Sequence, residues 1–153
     1  MGSRGYGMSQ SGIRADATGG DASTLTGRCL CGAVRYRCGP LLYPATWCHC
    51  MSCRRASGTT PVGWFTVAID SLIWLGDAPS SIGSSPGVER RFCAICGSPV
   101  TYWSERRPQE IDLTLGSLEE PDRVTPVDHI WMADAPRWDR PQDGLPQYPG
   151  LRP

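Results

Sequence analysis

From Leu25 onward the chain alternates in a way that favours strands. Leu30, Val34, Tyr36 and Cys38 share one parity while Arg35 and Arg37 share the other, the period of a half-buried β-strand. Ala45, Thr46 and Trp47 read as a short strand running into Cys48-His49-Cys50-Met51-Ser52-Cys53. One turn of helix is predicted next, with Ser52 as N-cap and Gly58 stopping it after Arg54, Arg55, Ala56 and Ser57. Residues 62–69 and 72–75, rich in Trp, Phe, Val and Ile, read as strands, and Gly76-Asp77 closes the second. Residues 80–87 are a predicted loop, residues 88–92 lead as a strand into Cys93-Ala94-Ile95-Cys96-Gly97-Ser98, and residues 100–103 lead out of it. Ile111, Leu113 and Leu115 alternate as a further strand before a turn at Gly116. Beyond Pro121 the prolines at 126, 136, 141, 146, 149 and 153 exclude a long regular element. Ile130, Trp131, Trp138 and Tyr148 are too apolar to be left in water, so this segment is expected to wrap the domain as ordered coil.

The pattern therefore predicts a mostly β protein. Composition agrees: 18 Gly and 14 Pro in 153 residues supply turns for many short strands. Residues 1–23, dominated by Gly, Ser, Ala and Asp without apolar periodicity, are expected to be a flexible tail, leaving residues 24–153 as one domain. The formal net charge is zero, which argues against a nucleic-acid partner, because binding a phosphate backbone needs a basic field. No apolar run approaches a membrane span and no signal-peptide core precedes the domain, so a soluble, cytoplasmic protein is expected. All 15 basic residues are Arg, so no side-chain amine is available for Schiff-base chemistry, and a carbonyl substrate would have to meet a thiol or a metal.

Eight cysteines change the picture most. In a reducing compartment, C-x-C and C-x-x-C pairs read as metal ligands rather than disulfides. Cys93-x-x-Cys96 followed by Gly97 has the form of a zinc knuckle and supplies half of a tetrahedral site. Cys29 and Cys31, two apart on a strand, would present both thiols on one face and supply the other half. That leaves Cys48, Cys50 and Cys53, three thiols within six residues, whose fourth coordination position stays open as at a catalytic zinc. A ribbon joining Cys50 and Cys53 to Cys93 and Cys96 is sterically ordinary too; spacing favours the first partition without excluding the second. His49 could close the open site, but it lies between two ligands, where strand alternation turns it away from them and favours a proton-transfer or a structural role over ligation. Arg54 and Arg55 are either a solvated helix face or a clamp for a substrate carboxylate. His129 is expected to pack with Ile130 and Trp131 rather than act in catalysis, and Cys38 to be a small buried apolar group.

Three segments, 27–36 around Cys29 and Cys31, 48–55 around Cys48, Cys50 and Cys53, and 91–98 around Cys93 and Cys96, resemble the glutathione-dependent formaldehyde-activating enzyme family, which also includes centromere protein V. Leu115-Gly116-Ser117-Leu118, His129-Ile130-Trp131, Trp138 and Asp143-Gly144-Leu145-Pro146 extend the resemblance, which covers roughly residues 25 to 148. The resemblance implies a β-tent fold of antiparallel strands and two zinc ions. It makes Cys29, Cys31, Cys93 and Cys96 structural ligands, and Cys48, Cys50 and Cys53 catalytic ones. The implied activity is addition of glutathione to formaldehyde, giving S-(hydroxymethyl)glutathione, classed as a carbon-sulfur lyase by its reverse direction. On that reading Arg54 or Arg55 receives a carboxylate of the thiol co-substrate and His49 or water moves the proton. Two other readings stay open: a carbon-sulfur lyase acting on another thiol adduct, and a zinc-stabilised interaction module without turnover.

Overall fold

The computed structural model describes residues 23–153, so the expectation of a flexible tail over residues 1–23 falls almost entirely outside the described residues. Ten strands and one short α-helix follow in order: β1 (Leu25–Arg28), β2 (Arg35–Cys38), β3 (Thr46–Cys48), α1 (Met51–Ser57), β4 (Val62–Ala68), β5 (Ile73–Trp74), β6 (Ser80–Ser85), β7 (Val88–Phe92), β8 (Pro99–Ser104), β9 (Glu110–Thr114) and β10 (His129–Ile130). They form two sheets, one of three strands ordered β1-β2-β5 and one of seven ordered β10-β3-β4-β9-β8-β7-β6. The expected mostly β, antiparallel architecture is the one that forms. The single departure is β10, which pairs parallel to β3.

The core lies where the inward faces of both sheets meet. Leu25, Val34 and Tyr36 come from the smaller sheet and its turns, and Phe65, Val67, Val100, Ile111 and Leu113 from the larger. Fully burying an aliphatic or aromatic side chain of this kind is worth about 1.5–3 kcal/mol. The alternation expected over β2 holds, with Tyr36 and Cys38 buried and Arg35 and Arg37 exposed. Tyr36 carries its one polar atom inward and satisfies it on the Ser117 hydroxyl at 2.7 Å. Cys38 is buried as expected, and burial pushes its thiol up to about 11.

Three local expectations fail. Helix α1 is capped by Cys50, not Ser52: the Cys50 sulfur accepts the Cys53 amide at 3.3 Å, and Ser52 lies inside the first turn. Its end is as expected, with Gly58 in the left-handed region at φ 72°. Residues 80–85 form edge strand β6 despite a sequence of Ser, Ile and Gly, because cross-strand pairing with β7 outweighs weak propensity. The turn between them passes through Gly87 at φ 68°. Finally, Cys29 and Cys31 do not share a strand. β1 stops at Arg28 and the cysteines sit on a turn closed by bonds from the Gly32 amide to the Cys29 carbonyl (3.1 Å) and from the Cys29 amide to the Val34 carbonyl (3.0 Å).

The segment after Pro121 is coil with single 3-10 turns and β10, tied down as expected. The Arg152 guanidinium donates to buried Asp128 at 3.1 Å, and that carboxylate also accepts the Thr46 hydroxyl. The expectation that its large apolar groups are covered fails for Trp138, which is 78% exposed. Among the described residues no helix is long and apolar enough to cross a membrane.

Gly27 in β1 passes so close to Tyr36 that a Cβ there would overlap the phenol ring and crowd the Ser117 carbonyl. Gly27→Ala should therefore destabilise the metal-loaded protein by about 1–3 kcal/mol, the usual cost of overpacking, as read from its denaturant midpoint.

Candidate metal centres

Cys29 and Cys31 come from the turn after β1, and Cys93 and Cys96 from the turn between β7 and β8. There the Gly97 amide closes on the Cys93 carbonyl at 2.9 Å, with Gly97 at φ 76°. The four sulfurs lie within 4.8 Å of one another. Two pairs are closer, Cys29 to Cys31 at 3.5 Å and Cys31 to Cys93 at 3.7 Å. Tetrahedral zinc at about 2.3 Å from each sulfur sets its ligands about 3.8 Å apart, so this set fits the ion. The Ser98 hydroxyl, 3.2 Å from Cys96, together with the Ser98 amide, draws that thiol down to about 5, a thiolate at neutral pH.

The second cluster is built from three adjoining pieces: Cys48 ends β3, Cys50 caps α1 and Cys53 lies in its first turn. Their sulfurs also lie within 4.8 Å of one another, and no fourth His, Cys, Asp or Glu joins the group among the described residues. Of the two partitions that spacing allowed, the structure forms the first, with Cys29, Cys31, Cys93 and Cys96 in one group and Cys48, Cys50 and Cys53 in the other. Val62, Trp64, Tyr102 and Ile130 wall the three-cysteine cluster. Hydrogen bonds from Cys48 and then Cys53, with the Cys53 and Ser52 amides behind them, hold Cys50 down to about 2, while the same coupling pushes Cys48 up. The three thiols together favour one thiolate at the helix cap even before a cation arrives.

A residue that the sequence did not single out completes this cluster. Arg90 in β7 brings its Nη2 to 3.6 Å from the Cys53 sulfur, with its guanidinium 4.8 Å from the centroid of the Tyr102 ring. Arg90 pairs across the sheet with Tyr102, and only that register directs it here.

His49 is turned away from the thiols, as alternation predicted, and is fully buried. Its Nε2 lies 2.9 Å from His129 Nδ1, and His129 Nε2 lies 2.9 Å from Asp143 Oδ2. On its other side, His49 Nδ1 is 3.3 Å from Asp139 Oδ2, an electrostatic contact that does not meet hydrogen-bond geometry. The same Asp139 oxygen accepts the Thr60 hydroxyl at 2.7 Å. Burial holds His49 below the usual histidine range, and the neighbouring Asp139 opposes this. Beyond the packing expected of it, buried His129 is the middle of a polar chain that ties the C-terminal coil to His49. The sequence signal was present in His129, Asp139 and Asp143, but nothing in their spacing paired them with His49.

Arg54 is half-buried and Arg55 exposed. Both line an open pocket of about 480 Å³ with Gly58, Thr59, Thr60 and the exposed Trp138. Arg54 and Arg55, the two residues after Cys53 in the chain, thus share a pocket, whose lining includes none of the three cysteines.

A two-sheet β frame carrying one four-thiol and one three-thiol cluster defines a cysteine-rich protein with two candidate metal centres, one with four thiol ligands and one with three. Residues 24–134 match the model of the family described as "Glutathione-dependent formaldehyde-activating enzyme", and the chain belongs to that family. A relative from Halomonas elongata, named "Putative glutathione-dependent formaldehyde-activating enzyme", is 30% identical over 131 residues, which cover 74% of this chain and 78% of that protein. The crystal structure of a Rhodobacter sphaeroides protein is similar in fold, with a TM-score of 0.56 at 22% identity over 81% of this chain and 99% of that one.

His129→Phe keeps the ring volume but leaves the buried His49 Nε2 without its partner. It should cost about 1–3 kcal/mol, the penalty for orphaning a buried polar group, in denaturant melts of the metal-loaded protein. A neutral result would mean that His129 serves only to pack.

Proposed function

We propose that this protein adds a thiol, glutathione or a close relative, to formaldehyde or a related aldehyde to form the S-hydroxymethyl adduct, a carbon-sulfur lyase reaction run in the synthetic direction. The observation that carries this reading is the three-thiol cluster, which has no fourth protein ligand among the described residues; Arg54 and Arg55, which follow Cys53 in the chain, line a pocket. Residues 24–153 act as one unit. Cys29, Cys31, Cys93 and Cys96 hold a structural zinc; Cys48, Cys50 and Cys53 hold the zinc that serves catalysis. When bound there, that ion lowers the pKa of an incoming thiol and presents it as a thiolate at neutral pH.

The chain's own residues supply position and water exclusion. Arg54 and Arg55 receive a carboxylate of the thiol co-substrate, a task that the guanidinium fork suits, and Trp138 covers the same pocket. Val62, Trp64 and Tyr102 exclude water from the inner side of the cluster. The incoming thiol gives its proton to water, the thiolate lone pair forms the C–S bond, the C=O π pair moves onto oxygen, and that oxygen takes the proton back from water. His49 joins the proton's route through His129 to the half-exposed Asp143, which connects the interior to solvent.

Cys50→Ser should lower the zinc content from about two ions per chain to about one and abolish thiol-dependent adduct formation above the uncatalysed rate, while the circular dichroism spectrum stays unchanged. Exchange NMR on formaldehyde and glutathione measures the rate, and full activity with both ions retained would rule the scheme out. Cys29→Ser, by contrast, should lose the folded state itself.

A further inference from the structure

Strand β7 sorts its charges by face. Glu89 and Arg91, two apart, point the same way and pair at 2.7 Å. Arg90, between them, faces the opposite side and meets no carboxylate at ion-pair distance among the described residues. Its contacts are the Cys53 sulfur at 3.6 Å and the face of Tyr102 at 4.8 Å, and that ring lies tilted against Trp64 at 6.3 Å. A half-buried guanidinium without a carboxylate, fixed by an aromatic shelf beside a thiol cluster, is placed to answer charge on that cluster.

We propose that Arg90 is a positioning residue of the three-cysteine centre: its guanidinium balances the negative charge gained when an external thiolate joins the cluster, and so sets the affinity for thiols. This rests on the reading that Cys48, Cys50 and Cys53 hold a divalent ion that accepts a thiol. Three thiolates around such an ion leave one net negative charge, and a fourth thiolate makes two. In the low dielectric made by Trp64, Val62 and Ile130 the second charge is costly unless a cation stands next to it. Arg90 touches Cys53 rather than the arginine pocket, so it acts through the cluster's charge and not by holding a particular substrate carboxylate. It should therefore help every thiol, including one that carries no other charge.

The test uses the full chain loaded with cobalt(II) in place of zinc, titrated separately with 2-mercaptoethanol and with glutathione, and reads the thiolate-to-cobalt absorption band. Arg90→Met should raise the dissociation constant of both thiols about tenfold, the order expected for removing a neighbouring opposite charge, while Arg90→Lys stays near wild type. Metal content per chain should be the same in all three proteins. Unchanged affinity in Arg90→Met beside a responsive wild type overturns the proposal. So does a loss confined to glutathione, which would make Arg90 a carboxylate contact instead. If Arg90→Met fails to hold metal, Arg90→Lys decides: near-wild-type affinity for both thiols supports the charge role, and a tenfold loss for both overturns it. A wild type whose absorption responds to neither thiol overturns the functional reading itself and this inference with it.

Discussion

Bringing four sulfurs within 4.8 Å of one another across a sequence separation of 62 between Cys31 and Cys93 is the constraint on which the rest of this structure depends. The turn after β1 belongs to the three-stranded sheet, and the turn after β7 belongs to the seven-stranded one. Joining the two turns ties the sheets together over the core of Tyr36, Phe65, Val100 and Leu113. Four sulfurs gathered this closely could hold one cation, and a cation held there would couple its binding to folding.

The second cluster obeys a different economy. Its three thiols come from six consecutive residues, so little loop entropy is spent in gathering them. What needs support is their orientation, and this comes from three sides. Cys50 is aimed by capping α1, β10 pairs its Ile130 with Cys48, and Arg90 reaches Cys53 from β7. The C-terminal coil adds the outer layer, fixed by Asp139 on Thr60, Asp143 on His129 and Arg152 on Asp128. Segments that look structureless by propensity thus carry the groups that seat the site.

Much of this was legible in one dimension because it rests on local rules. Alternation gave β2 and β9, prolines gave the coil, and a glycine after the last turn gave the end of α1. The three cysteine motifs announced two thiol clusters of the kind that could hold metal, since chelation by neighbours depends on spacing of two or three residues. What misled was local too. Ser52 is a better N-cap by propensity than Cys50, yet the sulfur holds the amide, because the cap residue is also drawn into the thiol cluster. Ser and Gly over residues 80–85 signal a loop, yet β7 offers them an edge to pair with.

By itself the sequence determined the fold class, the seven cysteines of the three motifs as candidate ligands, and the turning away of His49, all of which follow from contacts a few residues apart. Only the tertiary structure decided how those thiols divide, that His129 joins His49 and Asp143, that Trp138 stands exposed over the arginine pocket, and that Arg90 lies against Cys53. The physical reason is common to all four. Each depends on strand register or on where a coil lands, quantities fixed by the summed packing of distant residues. An arginine in a strand carries no mark of which neighbour its register will give it.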